Sequence, residues 1–322
     1  MKLIIQIPCL NEADSLPATL TDLPTHIPGI DVIEILVIDD GSTDGTGDAA
    51  ASLGVHHLIR HKQWQGLARA FQDGLDESLR QGADIIVNTD ADNQYPGHYI
   101  ADLVAPILRG EADMVISDRQ VQTIPHFSLM KKLFQQIGSQ VVRNISGTTV
   151  PDAVSGFRAY SREAALRLNV LSRFSYTLET IIQAGKLGLK IVSIPIQTNE
   201  TERPSRLQKN MWHFMKAQAS TILRVYAFYE PLRTFGYISL PFLLVGIGSW
   251  FRFFYFVFTE QSGIARYSQS ITIGSGLFVA GVLILLFGIQ ADIASKHRQL
   301  TQEMLYRLKK MELERAEVNS KQ

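Results

Sequence analysis

Cysteine is all but absent from this chain. Cys9 is the single one in 322 residues, so no internal disulfide can form and nothing marks the chain as a stapled extracellular scaffold. An excess of either charge is missing too. Lys+Arg and Asp+Glu both number 31, for a net charge of zero, and the basic surplus usual in nucleic-acid binders is not there. Internal repeats and low-complexity tracts are lacking. The N-terminal apolar run, Leu3 to Ile7, is too short for a signal peptide and reads as a first buried strand. At this length the chain exceeds one ordinary small domain and can build a large core.

Its two halves differ. Up to about Ile196, short β-branched runs alternate with amphipathic segments, the pattern of βαβ units. The expected strands are Leu3–Ile7, Ile33–Ile38, a short one near His57–Arg60, Asp84–Asn88, Asp113–Ser117 and Lys190–Ile196. Helical periodicity covers Leu67–Arg80, Tyr99–Leu108 and Arg162–Leu168. Beyond them, Phe235 to Phe258 carries one charge, Arg252, and Ile271 to Gln290 carries none. Each is long enough to span a bilayer, which needs roughly 20 apolar residues. Arg224 and Arg233 precede the first span, and Lys296, His297 and Arg298 follow the second. The positive-inside rule then puts both termini in the cytoplasm and leaves a short loop, Thr259–Ser270, outside. Arg252 either snorkels to the interface or faces a partner helix.

Residues 205–232 mix Trp212, Phe214, Met215, Ile222 and Phe228 with Arg206, Lys209, Lys216 and Arg224. That mixture suits amphipathic helices in the membrane interface, and packing against the first domain is the alternative. The expected organisation is a catalytic domain over 1–204, interface helices over 205–232, a two-helix transmembrane hairpin over 233–290 and a charged helical tail over 291–322. In the tail, Leu300, Met304, Leu308 and Met311 recur at intervals of three or four. This suits self-association into a homo-oligomer, or a single solvated helix.

The chemistry concentrates where strands end. Asp90-Ala91-Asp92-Asn93-Gln94 follows the apolar run Ile85-Ile86-Val87, so two carboxylates emerge at a strand's C-terminal end, where open α/β sheets bind ligands. Spaced two apart, they share a face of an extended chain and repel each other unless a cation intervenes. Mg²⁺ commonly takes one or two carboxylates plus substrate phosphate oxygens; a solvated acidic loop is the bland alternative. The first two strands end in Pro8-Cys9-Leu10-Asn11-Glu12 and Asp39-Asp40-Gly41-Ser42-Thr43-Asp44. A strand-end acid such as Asp39 can accept bonds from ribose or base. Lys62 and Gly66, ahead of the helix at Leu67, suit a phosphate at a helix N-terminus. Asp152, in Asp152-Ala153-Val154-Ser155-Gly156-Phe157-Arg158, is a candidate general base or a plain turn residue. Arg206, after Pro204-Ser205, can clamp a diphosphate.

Taken in order, these motifs carry a resemblance. The elements Pro8…Asn11-Glu12, Asp39 to Asp44, His61…Gly66…Ala70, Asp90 to Gln94 with Pro96, Asp152…Ser155 to Arg158, and Ser205-Arg206-Leu207 resemble those of family 2 glycosyltransferases. The similarity is to the polyprenyl-phosphate group that contains dolichol-phosphate mannose synthases and undecaprenyl-phosphate sugar transferases. It spans nearly the whole chain. It implies a GT-A fold, a mixed and mostly parallel sheet flanked by helices, followed by interfacial helices and two transmembrane helices. It also implies inverting transfer from a UDP- or GDP-linked sugar to a polyprenyl phosphate at the cytoplasmic face of the inner cell membrane, with Mg²⁺ or Mn²⁺ as cofactor.

By that resemblance Pro8, Glu12 and Asp39 hold the nucleoside, and Asp90 and Ala91 line the nucleotide pocket. Asp92 is the main metal ligand, with Asp90 and Gln94 as helpers. Arg119 lies near phosphates or acceptor, and Arg206 binds diphosphate; Asp152, the catalytic candidate, either acts as a base or only orients the acceptor and balances charge. Asn11, Asp40, Lys62, Gly66, Arg158 and Ser205 complete the expected substrate-binding set. Cys9 stands where the family usually has an aromatic residue, and Trp64 where it often has Asn, which leaves UDP against GDP open. Diacylglycerol is the rival acceptor, and a non-catalytic nucleotide-binding scaffold is the rival class. Two spans are too few for a polysaccharide-exporting channel.

Overall fold

Apolar runs that reach both faces of a sheet become its central strands, and here they do so in one layer. The computed structural model describes residues 1–120, 129–170, 176–199, 227–259 and 263–320. The chain forms two compact units, Met1–Gln218 with Gln302–Gln322, and Ala219–Thr301.

In the first unit, strands β1 (Lys2–Cys9), β2 (Val32–Asp39), β3 (His57–Arg60), β4 (Ile85–Asn88), β5 (Met114–Asp118), β6 (Arg158–Ser161) and β7 (Ile191–Pro195) form one sheet in the order β3-β2-β1-β4-β6-β5-β7. All pairings are parallel except those of β6 with β4 and β5. Helices α1 (Leu16–Asp22), α2 (Thr46–Ser52), α3 (Leu67–Arg80), α4 (Tyr99–Leu108), α5 (Leu129–Ser146), α6 (Arg162–Arg167) and α7 (Tyr176–Lys186) connect the strands. Every residue of β4 is buried, as expected of a strand covered on both faces. On α3, Ala68, Phe71, Leu75 and Leu79 are buried at helical spacing, and the helix packs on β1 and β2. Across the other face, Leu3, Ile5, Ile7, Ile85 and Val87 join Leu103 and Val104 of α4 in the core. Each such side chain contributes roughly 1.5–3 kcal/mol by leaving water.

The expected strands, and the helices at Leu67–Arg80, Tyr99–Leu108 and Arg162–Leu168, are present with ends shifted by a residue or two; the interface helices expected over 205–232 lie largely outside the described residues, and the loop expected at Thr259–Ser270 is helical from Gly263 onward. The strand absent from the sequence reading is β6. Its first residue is Arg158, and a charge there reads as loop, not as central strand.

In the second unit, α8 (Pro231–Thr259) begins the hairpin, and α9 (Gly263–Ser320) completes it and continues into the tail without a break. Both are long and apolar enough to cross a membrane. They approach closely where side chains vanish. A Cβ on Gly246 would lie 2.8 Å from the Phe278 amide nitrogen, and one on Gly274 would lie 2.6 Å from Ser249 Cβ. Small residues of this kind let membrane helices pack backbone to backbone. Trp250 Nε1 donates to Ser275 Oγ at 3.0 Å across the same contact. Arg252 lies exposed on α8. Within the first unit, the end of α9 is docked rather than free. Tyr306 Oη donates to Glu163 Oε1 at 2.9 Å, the Arg167 guanidinium lies 4.5 Å from the Tyr306 ring centre, and Lys309 Nζ pairs with Asp76 Oδ1 at 2.6 Å.

Candidate active site

Parallel strands β1, β2, β4 and β5 all end at one edge of the sheet. Because β6 runs the other way, its N-terminal approach, residues 152–157, arrives at that same edge. Residues far apart in sequence meet there for a topological reason.

The β1 and β2 ends are tied to each other. Asn11 N donates to Ser42 Oγ at 2.9 Å, and Thr43 N donates to Asn11 Oδ1 at 2.8 Å. Glu12 N donates to Thr46 Oγ1 at 2.9 Å, and Glu12 Oε2 accepts from Ser15 Oγ at 2.6 Å. Asn11 adopts the left-handed region, φ 55°, which Asn tolerates better than most residues. Asp39 is buried, and its Oδ1 accepts from Ser42 N at 2.9 Å. Pro8 and Cys9 are buried beside it, and burial pushes the Cys9 thiol well up, leaving it inert.

Asp40 was expected to touch substrate, and its geometry gives it another task. It is 3 % exposed, and its two oxygens accept from Gln65 N (2.9 Å) and Gly66 N (2.8 Å) and contact His61 Nδ1 (2.7 Å). A carboxylate so engaged holds the loop ahead of α3 in place. Gly66 takes φ 99° there, a conformation that favours glycine. Lys62 and Trp64 project from this loop into solvent, Trp64 at 66 % exposure.

Asp90 is half-buried and Asp92 exposed. Burial pushes the Asp90 carboxyl up to about 7, Asp92 adds to the rise, and Arg119 and Arg158 oppose it. Ala91 is buried, its carbonyl accepting from Thr19 Oγ1 at 3.0 Å. Asp92 Oδ1 accepts from Gln94 N at 3.1 Å, so Gln94's backbone already steadies Asp92. Asn93 takes φ 53°. Asn199, beyond β7, clasps this loop, donating from its backbone to Gln94 O and from Nδ2 to Asn93 O, both at 2.9 Å.

Arg119 and Asp152 form a bidentate pair, Nε to Oδ2 at 2.7 Å and Nη2 to Oδ1 at 3.1 Å, with Asp152 3 % exposed. Burial alone would raise the Asp152 carboxyl, but Arg119 and the Val154 amide hold it below the usual carboxylate range. Such a group is a weak proton acceptor at neutral pH. Arg158, the other expected ligand in this stretch, is fully buried. Its guanidinium donates to the carbonyls of Ala153, Ser155 and Thr177 and to Thr180 Oγ1, at 2.7–2.9 Å. With those bonds made it shapes the 152–157 turn from behind instead of reaching a ligand. Ser205 and Arg206 lie outside the described residues.

Beneath Asp90 runs a buried polar chain that the sequence reading missed. Gln6 Nε2 donates to Asn88 Oδ1 (2.9 Å), and Asn88 Nδ2 donates to Gly156 O (2.9 Å) and Tyr176 Oη (3.1 Å). Gln6 and Asn88 face each other in register on β1 and β4. The available signal was polar residues inside otherwise apolar strands.

Among the described residues no group of three or more His, Cys, Asp or Glu side chains could hold a metal ion. The Asp90–Asp92 loop therefore offers a hard cation one or two carboxylates and leaves its remaining positions to phosphate oxygens and water. That is the usual manner of Mg²⁺ binding, and the repulsion between the Asp90 and Asp92 carboxylates fits it.

Residues 4–168 match the model of glycosyl transferase family 2. The chain belongs to that family. It is 32 % identical to an undecaprenyl-phosphate mannosyltransferase of Micrococcus luteus over 213 residues, covering 63 % of this chain and 85 % of the relative. It is 27 % identical to a polyprenol monophosphomannose synthase of Mycolicibacterium smegmatis, covering 62 % and 78 %. Among solved structures it resembles glucosyl-3-phosphoglycerate synthase of Mycobacterium tuberculosis in complex with Mn²⁺, UDP-glucose and phosphoglyceric acid. That match has a TM-score of 0.55 at 22 % identity, covering 70 % and 79 %. The first unit of this family 2 transferase thus has the GT-A fold, as the motifs implied.

Proposed function

We propose that this family 2 transferase moves a sugar from a UDP- or GDP-linked donor to the phosphate of a polyprenyl lipid. The carrying observation is the meeting, at one sheet edge, of the Asp90–Asp92 carboxylates with the Arg119–Asp152 ion pair. The names of the mannosyltransferase relatives support the acceptor class.

In this reading Asp39 and the Pro8–Glu12 turn hold the nucleoside, and Ala91 and Gly66 line its approach. Asp92, with Asp90 and Gln94 as helpers, would hold Mg²⁺ or Mn²⁺, which would supply charge neutralisation to the departing diphosphate. Lys62 and Arg206 supply further positive charge to the diphosphate. An acceptor phosphate oxygen attacks the anomeric carbon, the bond to the donor's diphosphate breaks with its electrons passing to the leaving oxygen, and configuration inverts. The acceptor is already anionic at neutral pH, so no base is needed. Asp152 instead fixes Arg119, whose cation steadies the phosphates through the reaction.

The two apolar helices support a membrane protein. The basic residues Arg233, Lys296, His297 and Arg298 at the hairpin's ends support a cytoplasmic catalytic unit at the inner cell membrane, with both termini inside. The exposed stripe Leu300, Met304, Leu308 and Met311 supports a homo-oligomer.

The test is mass spectrometry of lipid products formed by the purified protein from a panel of UDP- and GDP-sugars, offered polyprenyl phosphate or diacylglycerol. A glycosylated polyprenyl phosphate is expected. Product on diacylglycerol alone would overturn the acceptor assignment, and no product from any donor would overturn the enzyme.

A further inference from the structure

Arg298 lies eight residues past Gln290, the end of the uncharged run, or about 12 Å along the helix axis. Side chains of an α-helix lean toward its N-terminus, which for this stretch of α9 is toward the apolar run. The guanidinium is therefore drawn back to the depth of the lipid headgroups, if the hairpin spans a bilayer as proposed above.

What surrounds it is unusual for a snorkelling arginine. Its Cζ sits 3.9 Å from the Phe228 ring centre and 4.6 Å from that of Tyr229. The two rings meet nearly at a right angle, 79°, so the cation is wedged in the corner between them. Cation–π contact satisfies the flat faces of a guanidinium but not the N–H groups at its edge. Nε and Nη1 are buried with no hydrogen-bond acceptor. The nearby acids are committed elsewhere: Glu230 to Arg233 at 3.8 Å and Asp292 to Lys296 at 3.4 Å. Among the described residues no carboxylate lies within ion-pair distance of Arg298. A desolvated, charged donor without an acceptor is costly, and the cost disappears when an anion supplies the missing oxygens. Phe228 is 47 % exposed and Tyr229 only 8 %, so Phe228 is the outer wall of the corner.

We propose that the Phe228–Tyr229–Arg298 corner is a binding site for the phosphate group of a membrane lipid. The two flanking rings fix the guanidinium and shield it from water, which strengthens its bond to phosphate. The same chemistry suits a polyprenyl phosphate monoester and an anionic phospholipid diester. The site rests on the proposed membrane placement, but it does not depend on which lipid accepts the sugar.

The experiment measures lipid binding, not transfer, with the full-length protein in detergent. The probes are farnesyl phosphate, phosphatidylglycerol and, as a phosphate-free control, farnesol. Arg298→Ala should weaken phosphate-lipid binding about tenfold or more and leave farnesol unaffected, while Arg298→Lys keeps the charge and recovers part of the loss. Phe228→Leu keeps the arginine intact and should weaken binding a few-fold by removing one wall. Nucleotide binding by calorimetry reports that each variant is folded. Loss of farnesyl phosphate alone assigns the corner to the monoester, and loss of both lipids assigns it to lipid phosphate in general. Unchanged binding of both to folded Arg298→Ala, or to Phe228→Leu should Arg298→Ala not fold, overturns the site. Failure of sugar transfer with these binding losses intact would count against the proposed activity and not against this corner.

Discussion

Gly156 sits where the carboxylate of Asp90 passes over the buried ring of Tyr176. A Cβ at this position would lie 2.7 Å from Tyr176 Oη and 3.2 and 3.3 Å from the two Asp90 oxygens. Ordinary contact begins at 3.4 Å, so Gly156→Ala asks Tyr176 Oη to retreat by about 0.7 Å. It has little room. Tyr176 is 2 % exposed, stacked on Phe71 at 4.1 Å, and its hydroxyl accepts from Asn88 Nδ2 at 3.1 Å. Overpacking of this kind costs about 1–3 kcal/mol, and a strained neutral hydrogen bond adds about 0.5–1.5 kcal/mol. A loss of roughly 2–4 kcal/mol lowers the thermal midpoint by roughly 5–15 °C for a domain of this size. Asp90 must also shift by a few tenths of an ångström, and small misplacements at a reacting centre are costly. Sugar transfer should fall by about tenfold or more, measured below the new midpoint with donor in excess. Gly156→Ala with both midpoint and turnover at parental values would refute the account, because the space under Asp90 would then be free to give.

Asp92→Ala removes an exposed carboxylate, so the midpoint should hold while divalent-dependent transfer falls by about a hundredfold or more; near-normal turnover would sink the metal assignment. Arg119→Ala leaves Asp152 buried without its cation and should cost about 3–5 kcal/mol by denaturation, whereas a loss under 1 kcal/mol would show the pair to be unimportant. The Asp152 carboxyl is held below its unfolded value, so its contribution to stability is full above about pH 4 and is lost as pH falls below that toward the lowered value. The transfer rate should therefore show no limb from Asp152 above pH 5, and a neutral limb that vanishes in Asp152→Asn would restore its role as a base. Lys309→Ala combined with Tyr306→Phe removes the docking of α9 on α3 and α6. Proteolysis of the tail should quicken severalfold, since each part-buried polar contact is worth about 1 kcal/mol; an unchanged rate would mean that other contacts hold the tail.

Much of the fold was readable because its cues are local. Ile85-Ile86-Val87 announces a buried strand whatever surrounds it, α3 shows its buried face through spacing alone, and the apolar stretches of α8 and α9 are defined by length. The acidic residues Asp39, at the end of β2, and Asp90 and Asp92, just past the end of β4, were legible for the same reason, since the residues that close a strand reach the sheet edge wherever the strand lies.

The duties of individual polar residues were not legible, because each depends on a distant partner. Asp40 and Arg158 have the residue types of ligands, yet Asp40 fastens the loop at Gln65 and Gly66, and Arg158 fastens the turn at Ala153 and Ser155 and the helix at Thr177. Asp152 became the partner of Arg119, 33 residues earlier, because β6 runs antiparallel and returns the chain to the edge where β5 ends. The sequence by itself determined most of the strands, the amphipathic helices read from it and the two long apolar helices, since hydrophobic period and run length are properties of neighbours along the chain; β6, which opens on Arg158, escaped it. Only the tertiary structure decided which charges support and which face the cleft, since burial and pairing depend on what the fold carries in from elsewhere.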